Sequence, residues 1–370
     1  MSEVGKGFRN TLRALFTDRA AMSAVVLGAV LYSFFYPSAY HAEVANQLPA
    51  VIVDLDRGAL SRMLEREVMA VRSVRLSASV PSVHDAIAAV AAGDAEGVLV
   101  IPSGFERDVL RGSQGKLALF GNGAFLGRGG TALTGLGDAV SAFGVQASAS
   151  RAHFVGVATR PPVQLVRRPL FNTREGYGGA VVPAVAILIV HQTLLLGIGL
   201  LVGTRNERRN RAASSFGELI GATAAFVAIG SASLLYYSGF VFWMQDYPRG
   251  GNLPGLLFVG VVFILAVVTF GLFVASHFRT RERALQMIAL TSLPLFFLAN
   301  ISWPHEATPR ALTALARLLP TTSGLNALVK LSQMGARVSE VGVELANLLL
   351  LIAVYGSLAA WRLSETKKNV

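Results

Sequence analysis

Two long apolar runs near the carboxyl end of the chain constrain its structure most. They lie within residues 284–302 and 343–363. A helix rises about 1.5 Å per residue, so about 20 apolar residues cover the roughly 30 Å of hydrocarbon in a bilayer. Trp303 and Trp361 lie at the ends of these runs, where an indole ring prefers the headgroup layer. Both runs therefore predict membrane spans.

The segment between these runs, residues 303–342, has a folded character of its own. Pro304, Pro309 and Pro320 interrupt it, and two short amphipathic pieces flank Pro320. Proline ends helices, whereas the amphipathic pattern favours short ones. We therefore predict a re-entrant or interfacial connector, which lies in or dips into the edge of the membrane.

Four further apolar runs complete a set of six predicted spans. They occupy residues 20–40, 179–203, 216–243 and 254–276. Charged residues make up only 15% of the chain, against about 25% in an ordinary soluble protein. The predicted fold class is a polytopic α-helical membrane protein with six transmembrane helices.

The basic residues behind the net charge of +11 lie beside the predicted spans, and this distribution does not indicate a nucleic-acid-binding surface. Lysine and arginine cluster in residues 1–19, the loops 204–215 and 277–283, and the tail 364–370. Positive residues concentrate on the cytosolic side of membrane proteins. Both termini and both loops are therefore predicted to be cytosolic. Residues 1–19 form an amphipathic helix that is either a solvated flank or lies on the cytosolic membrane face.

Residues 41–178 have the composition of a soluble domain inserted between the first and second spans. Short apolar strands such as GVLVIP, residues 97–102, alternate with helical stretches such as residues 58–70. This alternation predicts an extracytoplasmic α/β domain. The Gly-, Ala- and Ser-rich stretch 121–156 is either a long packed helix or a mobile arm.

The sequence contains no recognisable cofactor motif. Cysteine is absent and the histidines lack a metal-ligand spacing such as HExxH. The nearest approach to a P-loop, GSQGKL at residues 112–117, has the wrong spacing. We expect this chain to bind no cofactor itself and to have no enzymatic activity.

A few polar side chains lie inside apolar runs, where each needs a partner or water. His191 and Gln192 lie in the second predicted span, and Asn300 lies near the outer end of the fifth. They either line a pathway or join helices by hydrogen bonds within one chain. For Asn347, in the sixth span, we expect the second role. Glycines from the end of the second span through the third, Gly203, Gly217, Gly221, Gly230 and Gly239, predict close helix packing.

The order of four segments resembles a known family. They are VIVDLDRGALSRML (51–64), GDAEGVLVIPSGFERDVLRG (93–112), RPLFN with VPA (168–184), and the stretch from LPLFF to QMGA (293–336). The chain is similar to the permease, or transmembrane, subunit of a bacterial type-2 ABC exporter, in the subfamily with a periplasmic domain between spans one and two. Two departures are Asn172-Thr173 in place of Asn-Pro, and a more basic cytosolic loop.

The resemblance implies an ATP-driven exporter of an amphiphilic small molecule, drug or lipid in the bacterial inner membrane. ATP and Mg would bind a separate ATPase subunit. A second permease chain, identical or a sister, is implied, and often a periplasmic membrane-fusion adaptor. The residues implied for the substrate pathway are His191, Gln192, Phe296, Phe297 and Asn300. Those implied for ATPase contact are Phe8, Leu12, Arg205, Glu207, Arg208, Arg209, Arg211 and Glu218.

Two other functions remain open from the residues alone. A membrane receptor would bind a ligand with its outer domain, although five of the six predicted spans follow that domain. A scaffold for envelope assembly would bind a protein partner there. Association with an ATPase separates the exporter from both.

Overall fold

The computed structural model describes residues 2–40, 45–124, 126–155, 171, 176–207, 215–249, 251–299, 301–302 and 307–365. The chain divides into two compact units, one of residues Met1–His41 with Pro169–Val370 and one of Ala42–Arg168. We name the first the helical unit and the second the α/β unit.

The helical unit begins with two helices that meet at Asp18. Helix α1 is Glu3–Thr17, and Ser2 caps it by accepting a hydrogen bond from the Gly5 amide. Helix α2 is the apolar span Arg19–Ser38. The Asp18 carboxylate accepts hydrogen bonds from the amides of Ala20 and Ala21, each 3.0 Å long. The same residue thus ends the amphipathic helix and starts the span.

The α/β unit is a four-stranded sheet covered by helices on both faces. Its elements in chain order are β1 Leu48–Asp54, α3 Ala59–Ala70, β2 Val74–Ser79, α4 Val83–Ala92, β3 Gly97–Ile101, α5 Phe105–Leu110, β4 Ala118–Gly121 and α6 Leu126–Val155. The strand order is β2-β1-β3-β4, with β1 parallel to its two neighbours and β4 antiparallel to β3. Alternate residues of each strand face opposite sides. Ile52 and Leu99 pack with Leu64 and Leu136 of α3 and α6, whereas residues of the other face pack with α4.

Local signals predict this unit well. Ser82 accepts a hydrogen bond from the Asp85 amide at the start of α4, and Gly93 ends that helix with a φ of +84°. Residues 126–155 form one helix, α6, whose Leu136 and Phe143 are buried, so the described part of 121–156 is the packed helix and not the mobile arm.

The described residues in the remainder of the helical unit contain eight further α-helices and a short 3-10 helix, Val338–Val341. The α-helices are α7 Tyr177–Glu207, α8 Phe216–Met244, α9 Leu253–Ala275, α10 Arg281–Leu290, α11 Ser292–Leu298, α12 Arg310–Arg317, α13 Pro320–Ser332 and α14 Gly342–Glu365. Together with α2, the long helices α7, α8, α9 and α14 make five candidate membrane spans in the described residues. Helix α7 lies at the centre of the helical unit. In its apolar stretch of 18 residues 78% are buried, whereas in that of the last span only 17% are buried.

The predicted fifth span differs from the structure. Residues 284–302 do not form one continuous helix, because α10 ends at Leu290 and α11 begins at Ser292. Pro294 explains the break: it has no amide hydrogen to bond the Leu290 carbonyl, and its ring collides with that carbonyl in a regular helix. The six predicted spans are therefore five continuous helices and one divided segment among the described residues.

The connector also has a definite structure. Its described part contains α12 and α13, and α13 is buried against α7, α9 and α14. Lys330 of α13 forms a 2.6 Å salt bridge with Glu344 of α14. Helix α13 is thus a component of the helical core and not a surface loop.

Candidate functional site

The N-terminal helix is seated on the third span. At Gly7 an added Cβ would collide with the backbone of Glu218, and at Gly221 it would collide with the backbone of Val4 and Phe8. Glycine permits this approach of two helix backbones. Phe8 and Leu12 are half-buried on α1, whereas Phe16 is 57% exposed. Of the two expectations for residues 1–19, neither included this contact with α8.

The glycine prediction is confirmed at most positions. An added Cβ at Gly203, Gly217, Gly221 or Gly230 would lie within 3 Å of a neighbouring element. At Gly239 it would meet nothing within 4 Å. Close packing therefore explains the first four and not the last.

Of the predicted ATPase-contact residues that follow the second span, the structure describes Arg205, Glu207 and Glu218. Arg205 and Glu207 are exposed at the end of α7. Glu218 lies in the first turn of α8, where its amide donates to Ser215 Oγ at 3.2 Å. Arg208, Arg209 and Arg211 lie outside the described residues.

Arg281, at the start of α10, joins three elements at this end of the helical unit. Its guanidinium donates to both carboxylate oxygens of Asp18, at 3.2 and 3.3 Å. Its amide donates to Glu207 Oε1 at 2.5 Å. The side chains of Arg281 and Asp18 are 28% and 17% exposed. We name this group, Asp18, Glu207 and Arg281, the basal clasp.

The electrostatics of the basal clasp favour a charged Asp18. Burial alone would raise the pKa of its carboxyl group. The hydrogen bonds from the Ala21 amide and from Arg281, together with the charge of Arg281, outweigh burial and hold the pKa of the Asp18 carboxyl below its usual range. Asp18 is therefore ionised at neutral pH.

His191 is fully buried in α7. Its Nε2 and Thr321 Oγ1 of α13 share a 3.0 Å hydrogen bond, and its ring stacks on Phe263 of α9 with centroids 6.5 Å apart. No described group bonds its Nδ1. In this chain His191 therefore joins three helices around the start of α13.

Gln192, the next residue, makes a second link. Its Nε2 donates to Ser292 Oγ of α11 at 2.6 Å, while its Oε1 is buried with no hydrogen-bond partner among the described groups. This bond fixes the start of α11 against α7. The arrangement is that of a helix–helix hydrogen bond, one of the two roles considered for Gln192.

The aromatic pair of α11 faces two environments. Phe296 is half-buried, whereas Phe297 is 55% exposed, and their ring centroids are 5.7 Å apart. The exposed Leu293 lies one turn before Phe297. Asn300 lies outside the described residues. Helix α11 thus presents an apolar surface whose base is tied to Gln192.

The first turn of α13 makes two further polar contacts with neighbouring helices. Thr322 donates to the Leu298 carbonyl of α11 at 3.2 Å. Asn347 of α14 donates to Ser323 Oγ at 2.8 Å and to the Arg317 carbonyl at 2.9 Å. The predicted hydrogen-bonding role of Asn347 is confirmed.

Sequence reasoning did not identify Asp18, Arg281, Ser292 or Thr321. Hydroxyl groups are common in membrane helices, so Ser292 and Thr321 carry no distinctive signal. Arg281 was included only as one of several cytosolic charges. The aspartate beside Arg19, immediately before an apolar run and in N-cap position, is a signal that could have marked Asp18.

Comparisons with known proteins agree with this architecture. A family model described as ABC-2 family transporter protein matches residues 20–361, nearly the whole chain. The linearmycin resistance permease protein LnrN of Bacillus subtilis (strain 168) is 27% identical over 103 residues. That match covers 28% of this chain and 26% of the relative, so the chain spans about a quarter of the curated relative it matches. This multi-pass membrane protein belongs to the ABC-2 transporter family, as a permease subunit.

Proposed function

We propose that this chain is the membrane subunit of an ATP-driven exporter for an amphiphilic small molecule, drug or lipid. The family match over residues 20–361 carries the proposal. The Bacillus relative is a linearmycin resistance permease, which supports removal of a toxic compound as the kind of task. Transport here means that the substrate moves outward across the bacterial inner membrane.

The energy source is a separate ATPase chain that binds ATP and Mg. The 370 residues contain no P-loop, and the ABC-2 family implies an ATPase partner. The docking face of this chain for the ATPase comprises α1 with its half-buried Phe8 and Leu12, the loop 204–215, and the first turn of α8 with Glu218. Two permease chains, identical or sister, complete the transporter, and a periplasmic adaptor carries substrate onward.

The pathway is lined by Phe296 and Phe297 of α11 and by Asn300, which lies outside the described residues. His191 and Gln192 act one layer behind this lining, because their hydrogen bonds hold α13 and α11 in position. Both termini and the loops 204–215 and 277–283 are cytosolic in this proposal, and the α/β unit is periplasmic.

Purification of the tagged protein from its native host in mild detergent tests the proposal. We expect mass spectrometry to find an ATPase in near-equal amount, and lipid nanodiscs of the complex to hydrolyse ATP faster with a transported amphiphile. A chain recovered alone from every detergent and nanodisc would refute the exporter and favour the receptor or the scaffold.

A further inference from the structure

The basal clasp connects the described start of the proposed docking loop to α10, the helix that precedes the pathway helix α11. The loop 204–215 begins at the end of α7, and Glu207 there accepts the Arg281 amide. A Cβ added to Gly203 would lie 2.7 Å from Arg281 Cα, so the backbones of α7 and α10 are in direct contact. A displacement of this end of α7 must therefore move the first turn of α10.

Helix α10 continues the connection toward α11. Its buried residues Ala284 and Ile288 pack on Gly199 of α7. After the break at Thr291, Ser292 is held by Gln192. Both helices are therefore attached to α7, and a movement of its docking end is expected to change the position of the exposed Phe297.

The guanidinium of Arg281 adds the first span to this connection. It donates to both oxygens of Asp18, whose carboxylate also caps α2. A planar guanidinium that donates to two carboxylate oxygens fixes orientation as well as distance. The base of α2 and the first turn of α10 are therefore held in one relative position.

We propose that Arg281 is a positioning residue for coupling: its ion pair with Asp18 makes α2 and α10 move as one body with the docking end of α7. The proposal rests on the exporter function proposed above. ATP-driven movement at the docking face reaches the pathway helix through this pair. Without it, the ATPase still binds and turns over, but less of its movement reaches α11.

Two variants remove the pair while leaving both helix caps in place. Asp18→Asn removes the charge, and asparagine remains a good N-cap. Arg281→Gln removes the guanidinium, whereas the cap of α10 is Thr280 Oγ1, which accepts from the Arg283 amide at 3.2 Å. Arg283→Gln is the matched control, because Arg283 is exposed in the same turn of α10.

The first measurement uses complexes of the permease with its co-purified ATPase in nanodiscs. We expect each variant to retain ATPase in the complex and to transport about tenfold less substrate per ATP hydrolysed, within the range of ordinary coupling between sites. Arg281→Lys should recover part of the ratio, and Arg283→Gln should match wild type. The double variant should be no worse than either single one, because both remove the same interaction.

The second measurement needs no ATPase. Hydrogen exchange of the permease alone in nanodiscs should show faster exchange in residues 19–22 and 281–285 in both variants, and not in Arg283→Gln. Wild-type transport per ATP in Arg281→Gln, additive losses in the double variant, or unchanged exchange would each overturn the proposal. If wild type itself shows no ATP-driven transport, the exporter proposal and this coupling role fall together, while the exchange data still report whether the pair holds the two helices.

Discussion

Replacing Gly324 by alanine should weaken the packing of α13 in the helical core and destabilise the protein. An added Cβ would lie 2.8 Å from Cγ of Phe263 and closer still to two other carbons of that ring. Phe263 is fully buried and stacks on His191, so its ring cannot turn away without disturbing the hydrogen bond between His191 and Thr321.

The magnitude follows from two opposing terms. Alanine in place of glycine favours a helix by about 1 kcal/mol. Overpacking a buried site costs about 1–3 kcal/mol, and collision with a fully buried ring places this site at the upper end. We expect a net loss of about 1–2 kcal/mol in the free energy of unfolding, and a fall in Tm of several degrees at about 2–4 °C per kcal/mol.

The assay is thermal unfolding of purified protein in one detergent, followed by transport in nanodiscs. Gly239→Ala is the matched control, since a Cβ there would meet nothing within 4 Å, and we expect it to be at least as stable as wild type because alanine favours a helix. Adding Phe263→Leu to Gly324→Ala should give a smaller loss than the sum of the two single changes, because the shorter side chain makes room. A Gly324→Ala protein with the wild-type Tm, or strict additivity in the double variant, would refute the packing of α13 on Phe263.

Three further predictions concern the proposed docking end, the proposed orientation and the charge of Asp18. Gly7→Ala should displace α1 from α8 and reduce the ATPase recovered with the permease several-fold. Gly5→Ala, where a Cβ would lie 3.4 Å from Ser2 Oγ, should leave recovery unchanged. Equal recovery from both variants would show that α1 is not part of the docking face. Because the chain lacks cysteine, Ser113→Cys in the α/β unit should react with a membrane-impermeant maleimide added to cells with a permeabilised outer membrane, and Arg283→Cys should not; the reverse pattern would invert the proposed topology. The depressed pKa of Asp18 keeps its stabilising charge present above about pH 3.8 and removes it only as pH falls through the lower folded-state value. The loss of coupling in Asp18→Asn should therefore be the same at about pH 6 and about pH 8, and a loss confined to one of them would contradict the assignment.

The α/β unit was the most predictable part of the chain because its signals are local. Strand alternation, the Ser82 cap and the Gly93 stop all act within a few residues, and each is found in the structure. The segments 51–64 and 93–112, which carry part of the family resemblance, also contact each other, and local signals could not predict that contact. Asp56 accepts the amides of Gly104 and Glu106, while Glu106 Oε2 accepts the amide of Leu60.

The divided helix at residues 281–298 was missed for a different reason. A hydropathy window sums composition over the run and does not register where a backbone hydrogen bond is lost. Pro294 was visible, but proline within a membrane span is common and often only bends it. Here Pro294 interrupts the helix, and the hydrogen bond from Gln192 to Ser292, one hundred positions away in sequence, holds the second half against α7.

The same breaks account for most of the polar residues that the sequence placed inside apolar runs. Where α11 ends and α13 begins, backbone groups lose their helical partners and must be satisfied by protein. Thr322 supplies one partner to α11 by bonding the Leu298 carbonyl, and Asn347 supplies one to α12 at Arg317. His191 and Gln192 then bond hydroxyl groups at the same breaks. Polar residues that serve broken helices need not touch a substrate, so the search for substrate contacts should begin at exposed apolar side chains such as Phe297.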